Sequence, residues 1–255
     1  MSKDKYRTML INKKLQLFLL QLVCHIALVW AVFSFTAVDW FWSFFVYFFT
    51  GCFGVTVTLH RYYSHKSFKF KNDLVRKFFV FCSVWGVVGD PIAWVNNHRQ
   101  HHRLTDKPGD PHSPQILGFV QAQWLSMFHG QTNLRMVPDL IRDKFLVYIH
   151  QHYFKLHWTL MIVGLLFVPK IALVCYLVPA AILWNFGSLV NTINHMYGYR
   201  TYETTDNSTN NFLMGYLVWG EGWHNNHHGN PASKHFSNKW WEFDIGYQVV
   251  KMVEE

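Results

Sequence analysis

The sequence predicts an all-α integral membrane protein, a single domain over residues 1–255, with four transmembrane helices in two hairpins. Three observations carry this. Hydrophobic residues make up 51% of the chain and aromatics 18%, a composition far from that of an ordinary soluble domain. The apolar residues come in runs long enough to cross a bilayer, without the alternation of a soluble α/β protein. The basic residues lie almost wholly to one side of those runs.

The first run, 15–35 (LQLFLLQLVCHIALVWAVFSF), is matched to roughly 30 Å of hydrocarbon as a helix. It is too long for a signal-peptide core and no small-residue cleavage site follows it, so it is expected to persist as a mature helix. A second run, 40–59 (WFWSFFVYFFTGCFGVTVTL), follows after a few residues and completes a hairpin. The segment 74–88 (LVRKFFVFCSVWGVV) is shorter than a span and contains Arg76 and Lys77, which predicts an interfacial helix. Runs at 153–168 and 171–190 form the second hairpin, turning at Pro169-Lys170.

Four spans put the N-terminus, residues 60–152 and the C-terminal tail on one side of the membrane. Of the 23 Lys and Arg, Lys170 alone falls on the other, so the common side is cytoplasmic by the positive-inside rule. The net charge of +8 then points to anionic headgroups or an acidic protein partner, not to nucleic acid. The cysteines Cys24, Cys52, Cys82 and Cys175 sit in apolar segments without C-x-x-C spacing, which excludes a disulfide framework or zinc ribbon.

Nine of the 16 histidines gather in four places on that predicted cytoplasmic side. HRYYSH supplies His60 and His65, and NHRQHH supplies His98, His101 and His102. NTINH ends in His195, and GEGWHNNHH supplies His224, His227 and His228. In H-x-x-H-H the three imidazoles stand at i, i+3 and i+4, one face of a helix, and converge on a point beside it. Histidine is the commonest metal ligand. Two such triads with further contributions exceed what one ion holds, which points to two ions with four or five ligands each. His60 and His65, five apart, would diverge by about 140° on a continuous α-helix, so the second span is expected to end near His60 and the chain to turn back. Asn191, one turn before His195, is placed to bind a metal or hold a metal-bound water. The other seven, His25, His112, His129, His150, His152, His157 and His235, lack this spacing and are expected not to be ligands.

Imidazole suits Zn, Cu, Fe and Ni alike, and zinc can replace iron in an overexpressed sample. Location adds more: a two-metal site at the mouth of a membrane bundle reaches lipid chains whose C–H bonds yield to oxygen activated at non-haem iron.

HRYYSH, NHRQHH and GEGWHNNHH resemble, in order and spacing, the three histidine boxes of the membrane-bound fatty acid desaturases, and NTINHMYGYRTY resembles that family's further histidine segment. The similarity extends from about residue 40 to the end, includes DPH at 110–112 and KWWEFD at 239–244, and is strongest to the delta-9 type, stearoyl-CoA desaturase and the cyanobacterial and plant acyl desaturases. The resemblance implies four transmembrane helices under a cytosolic helical cap. It implies a di-iron centre held by the nine box histidines, with Asn191 holding a water. The reaction it implies takes two hydrogens from adjacent methylenes of a long acyl chain, with O₂ and two electrons, and leaves a cis double bond and water. The acyl chain would lie bent in an apolar tunnel, lined in part by Trp94 and Trp223.

Where animal acyl-CoA enzymes carry Arg and Asp before the second box, this chain has Asn96 and Asn97. The contacts by which those enzymes hold CoA are thus missing here, and the C-terminal segment leans toward a lipid-bound acyl group or an acyl carrier protein; the expected substrate is a long acyl chain on a lipid, CoA or an acyl carrier protein. No cytochrome b5 segment is fused to this sequence, so the electrons are expected from a separate ferredoxin or cytochrome b5, acidic partners for a basic face. Asp90, Asp106, Asp110, Glu221 and Asp244 lie near the boxes and are candidates to accept imidazole N–H bonds. A fatty acyl hydroxylase or acetylenase on the same scaffold shares every ligand. A metal transporter would need ionisable ligands along its spans, where His25 alone is clearly found. An inactive binding protein should have lost ligands, and all nine are present.

Overall fold

The computed structural model describes residues 3–131 and 133–255, with side chains from residue 12 onward. The N-terminus itself, predicted on the side of the histidines, lies outside the described residues. Among those described the protein is helical, with pairing in extended form limited to isolated bridges such as Phe70 with Glu254.

Three helices are long and apolar enough to cross a membrane: Asn12–Ser34 within α1 (Lys3–Ser34), α2 (Ala37–Ser64) and α8 (Pro169–Ile193). Each carries the predicted run and extends it by a few residues. The predicted span 153–168 lies in the C-terminal part of α7 (Lys144–Phe167), whose 24 residues also include Lys144, His150, His152 and Lys155 and are therefore less apolar. Large apolar side chains face outward along these helices: Val29, Val32 and Phe33 on α1, Phe41 on α2, Leu166 and Phe167 on α7, and Ile171 on α8. An exposed apolar belt of this extent marks a surface that meets lipid.

The two hairpin turns meet at one end of the bundle. Thr36 caps α2, its hydroxyl accepting from Asp39 N while the Asp39 carboxylate accepts from Thr36 N at 2.8 Å. The same carboxylate accepts from Lys170 Nζ at the start of α8. The histidines lie at the opposite end.

α2 departs from expectation in a way that matters for the site. It does not end near His60. From Phe49 to Ser64 its backbone winds as a π-helix, and His65 N donates to His60 O, five residues back, at 3.1 Å. A five-residue turn sets residues five apart on one face, so His60 and His65 have ring centroids 4.9 Å apart without a chain reversal.

Past α2, α3 (Asp73–Trp85) is capped by Asn72 and buries Phe79, Val80 and Cys82 while Leu74, Phe78 and Phe81 face outward. It covers most of the segment 74–88, which was expected to be helical, and closes at Gly86. α4 (Pro91–Leu104) starts with Asp90 as N-cap and Pro91 in the first turn, the favoured arrangement. Short helices α5 (Pro114–Leu117) and α6 (Phe119–Trp124) and three 3-10 turns lead to α7. After α8 come α9 (Phe212–Leu217), α10 (His224–Gly229) and α11 (Ile245–Val253). One core joins α1, α2 and α8 through Leu20, Cys24, Cys52, Val57 and Leu183. A second, beneath α4 and α7, contains Leu59, Val80, Val95, Leu146 and Tyr153. All four cysteines are free thiols.

Candidate metal centre

The nine box histidines come from four places in the chain: the end of α2, the face of α4, the turn after α8, and α10. The structure sorts them into two groups. His60, His65, His98, His102 and His227 form one, and His101, His195, His224 and His228 the other, the nitrogens of each group lying within 4.8 Å of one another. Both H-x-x-H-H triads are split between the groups, because i+3 and i+4 positions straddle the axis of contact between α4 and α10.

Inside each group ring nitrogens face each other. His60 Nε2 and His102 Nε2 lie 3.0 and 2.9 Å from His227 Nε2, and His65 Nε2 lies 2.8 Å from His98 Nε2. In the second group His224 Nε2 is 3.1 Å from His195 Nε2. Nε2 of His101 and of His228 is buried without a hydrogen-bond partner among the described residues. One imidazole nitrogen cannot donate to two others, so His227 facing both His60 and His102 leaves lone pairs opposed. A cation between them removes that conflict. Separations of about 3 Å also suit neighbouring ligands on an ion held at roughly 2.1 Å by each nitrogen.

The far nitrogens are oriented by carboxylates. His60 Nδ1 meets Glu221 at 2.5 Å, His101 Nδ1 meets Asp110 at 2.9 Å, and His195 Nδ1 meets Asp106 at 2.9 Å. His228 Nδ1 meets Asp206 at 3.0 Å. Such partners fix the tautomer that leaves Nε2 free to ligate. Asp206 has no counterpart in the sequence reading: it lies 22 residues before its histidine, and only the loop that follows the fourth segment brings it back. Asp90 instead accepts from His150 Nδ1 at 2.7 Å while capping α4, and Asp244 pairs with Arg61 and caps α11.

Electrostatics keep six of the imidazoles neutral. Burial, reinforced by the neighbouring histidines, holds His65, His98, His102, His224 and His227 well below the usual range. Burial also brings His228 down to about 4, against the opposing pull of Asp206. For the carboxylates burial acts upward but is outweighed: hydrogen bonds from His195, Ser113 and Asn207 N hold Asp106 low, and those from His228 and Ser208 hold Asp206 low. Neutral imidazole beside ionised carboxylate is the state that binds a cation.

Arg61, inside the first box, is fully buried between Glu221 at 2.7 Å and Asp244 at 3.0 Å, with its guanidinium over Phe236. It locks the first box to the third and to the C-terminal segment. Gly220 has φ +103° and its missing Cβ leaves room for Asp244 Oδ1, at 2.5 Å from where a Cβ would stand. Asn225 and Asn226, between the histidines of α10, face away from them: Asn225 accepts from Thr201 N and Tyr202 N, and Asn226 donates to Phe236 O and Glu242.

An internal cavity of about 120 Å³ opens on the first group and is lined by Val55, Trp94, His98, His112, Leu183 and Asn191, among others. Trp94 stacks on His98 with planes 13° apart. Trp223 is fully buried elsewhere, donating to Phe243 O. The cavity shares Leu17, Gly89, Ala93, Asn97 and Met127 with a second, of about 230 Å³, at whose outer wall stand Lys13, Lys14 and His150. Asn96 is occupied in holding a loop, through Gln131 O and Asn133 N. The seven remaining histidines lie outside both groups: His25 bonds Asn185, His112 packs with its ring 5.8 Å from that of His101, His129 bonds Gln121, His150 bonds Asp90, His152 bonds Tyr148 O, His157 bonds Tyr176, and His235 packs on Tyr247.

Comparison with known proteins agrees with this site. The model of the fatty acid desaturase family matches residues 39–244. The acyl-CoA 5-desaturase of Anemone leveillei is 32% identical over 90% of this chain and 73% of its own length. The sn-1 stearoyl-lipid 9-desaturase of Anabaena variabilis is 32% identical over 88% of this chain and 85% of its own. The palmitoyl-monogalactosyldiacylglycerol delta-7 desaturase of Arabidopsis thaliana is 34% identical over 83% of this chain and 58% of its own. With its boxes assembled into two histidine clusters beside an internal cavity, the chain belongs to the fatty acid desaturase family and is a fatty acyl desaturase.

Proposed function

We propose that this protein inserts a cis double bond at the delta-9 position of a long acyl chain carried on a membrane lipid, at a centre of two iron ions. The observation that carries the reading is the division of nine imidazoles into groups of five and four, with His98 of the first group lining a cavity. His60, His65, His98, His102 and His227 hold one iron. His101, His195, His224 and His228 hold the other, with Asn191, which opens on the same cavity, holding a water for it. Bound iron supplies activation of O₂ strong enough to abstract hydrogen from an unactivated methylene.

The chain's own residues do the rest. Glu221, Asp106, Asp110 and Asp206 hold the imidazole protons away from the ligating nitrogens. Leu17, Val55, Leu183 and Trp94 exclude water and constrain the methylenes. A bond position is then set by how far the chain enters before its polar end is stopped, a matter of positioning. Relatives of 32–34% identity are named for the 5-, 7- and 9-positions, so delta-9 rests on the resemblance of the boxes. Lys13, Lys14 and His150 stand where a polar headgroup would stop. In this reading α7 is the fourth span, the histidine end of the bundle faces the cytoplasm, and a separate acidic ferredoxin or cytochrome b5 delivers two electrons.

The test is the fatty acid profile, with double bonds located by mass spectrometry, of a desaturase-deficient host expressing the chain or its His228→Ala variant. A delta-9 monoene that vanishes in the variant is expected. Hydroxylated chains in its place would assign the scaffold to hydroxylation.

A further inference from the structure

The cavity on the His98 side is not the sole opening onto the histidines. A cleft of about 520 Å³, sharing no lining residue with that cavity, is lined by His65, His102 and His228, members of both groups, and by Thr105, Thr204 and Asp206. Its character is the reverse of the first. Hydroxyls, a carboxylate and the partly exposed His65 and His102 make its walls, with the buried His228 side chain behind them, and Glu203 and Thr205 stand exposed at its rim. The apolar cavity carries Leu17, Val55, Val88, Leu183 and Met127 instead.

The stoichiometry of desaturation makes two openings useful. A saturated acyl pair –CH₂–CH₂–, one O₂, two electrons from the protein donor and two protons become –CH=CH– and two waters. While the acyl chain fills its cavity that side is closed by hydrocarbon, yet two protons have yet to arrive and two waters to leave. We propose that the cleft between His65, His102 and His228 is the aqueous port of the centre, the route by which water and small polar metal ligands reach and leave it while substrate is bound. The proposal rests on the two-metal reading above.

Thr205 at the rim makes no side-chain hydrogen bond among the described residues and is exposed, so it can be changed without touching a ligand. The test loads the Thr205→Cys protein with iron, measures two ions per chain, and follows azide binding by stopped-flow absorbance with an acyl lipid present. The thiol is then capped with a bulky, reducible disulfide reagent. Unsubstituted protein treated alike controls for the native cysteines. Capping is expected to slow azide association at least ten-fold, with full recovery after the cap is removed and no change in acyl-lipid affinity. An unchanged association rate on the capped protein overturns the port. Failure of the uncapped protein to hold iron overturns the two-metal reading, and the port with it, a result distinguishable from the first by metal content alone.

Discussion

At the residue scale each box histidine offers one nitrogen to its cluster, and in four of the nine a carboxylate fixes the other. His101→Ala or His228→Ala is expected to abolish turnover while membrane insertion persists, as read by product analysis alongside membrane fractionation. Asp206→Asn keeps the side chain's shape but removes the charge that orients His228. Loss of such a partner costs roughly 10–100-fold in metal affinity, measurable by competition with a chelator. Arg61→Ala leaves Glu221 to His60 alone and the buried Asp244 without a cation, an expected loss of about 3–5 kcal/mol in denaturant unfolding in detergent. For pH, burial sets His112, beside the second group, at about 4 in the folded chain, against roughly 6.5 unfolded. Between those values the unfolded state binds more protons. Stability of the metal-free protein is therefore expected to fall as pH drops from about 6.5 toward about 4, with buried His228 acting in the same sense. A thermal midpoint of chelator-treated protein that stayed flat over that window would contradict this.

The elements show how much was legible beforehand. The H-x-x-H-H spacing picked out the histidines of α4 and α10, but not their convergence: each triad was expected to meet at one point and is instead divided between the two groups, with the i and i+4 residues in one and the i+3 residue in the other. The apolar runs gave α1, α2 and α8 to within a few residues. The π winding of α2 was not legible, because hydropathy has no memory of whether a turn closes at four residues or five; the spacing of His60 and His65 hinted at it only through the need to converge. Asp206 and the Arg61 triad were hidden for a different reason, being contacts between segments 22 and more residues apart. The winding also packs α2 tightly on α3. A Cβ on Gly54 would stand 2.6 Å from the Ser83 backbone, so Gly54→Ala is expected to cost about 1–3 kcal/mol by overpacking and to lower the thermal midpoint without altering metal specificity.

At the scale of the whole molecule, the fold is a bundle with the ion pair of Asp39 and Lys170 at one end and nine imidazoles at the other. The bundle leaves two cavities with shared lining, one beside Lys13, Lys14 and His150 and one beside His98, and a polar cleft at His65, His102 and His228. If, as proposed, a separate acidic protein delivers the electrons to a basic face, reduction is expected to slow steeply as ionic strength rises, because exposed charges are screened within roughly 10 Å at 0.1 M salt; reduction rates by ferredoxin across a salt series check it. The central claim, that five and four histidines hold two irons, is tested most directly by the metal content of purified protein, by mass spectrometry with Mössbauer spectroscopy, beside a His195→Ala/His224→Ala variant. Two irons per chain in the unsubstituted protein and one in the variant are the predicted result. An active unsubstituted enzyme with a single iron, or a variant that keeps both, would contradict the assignment.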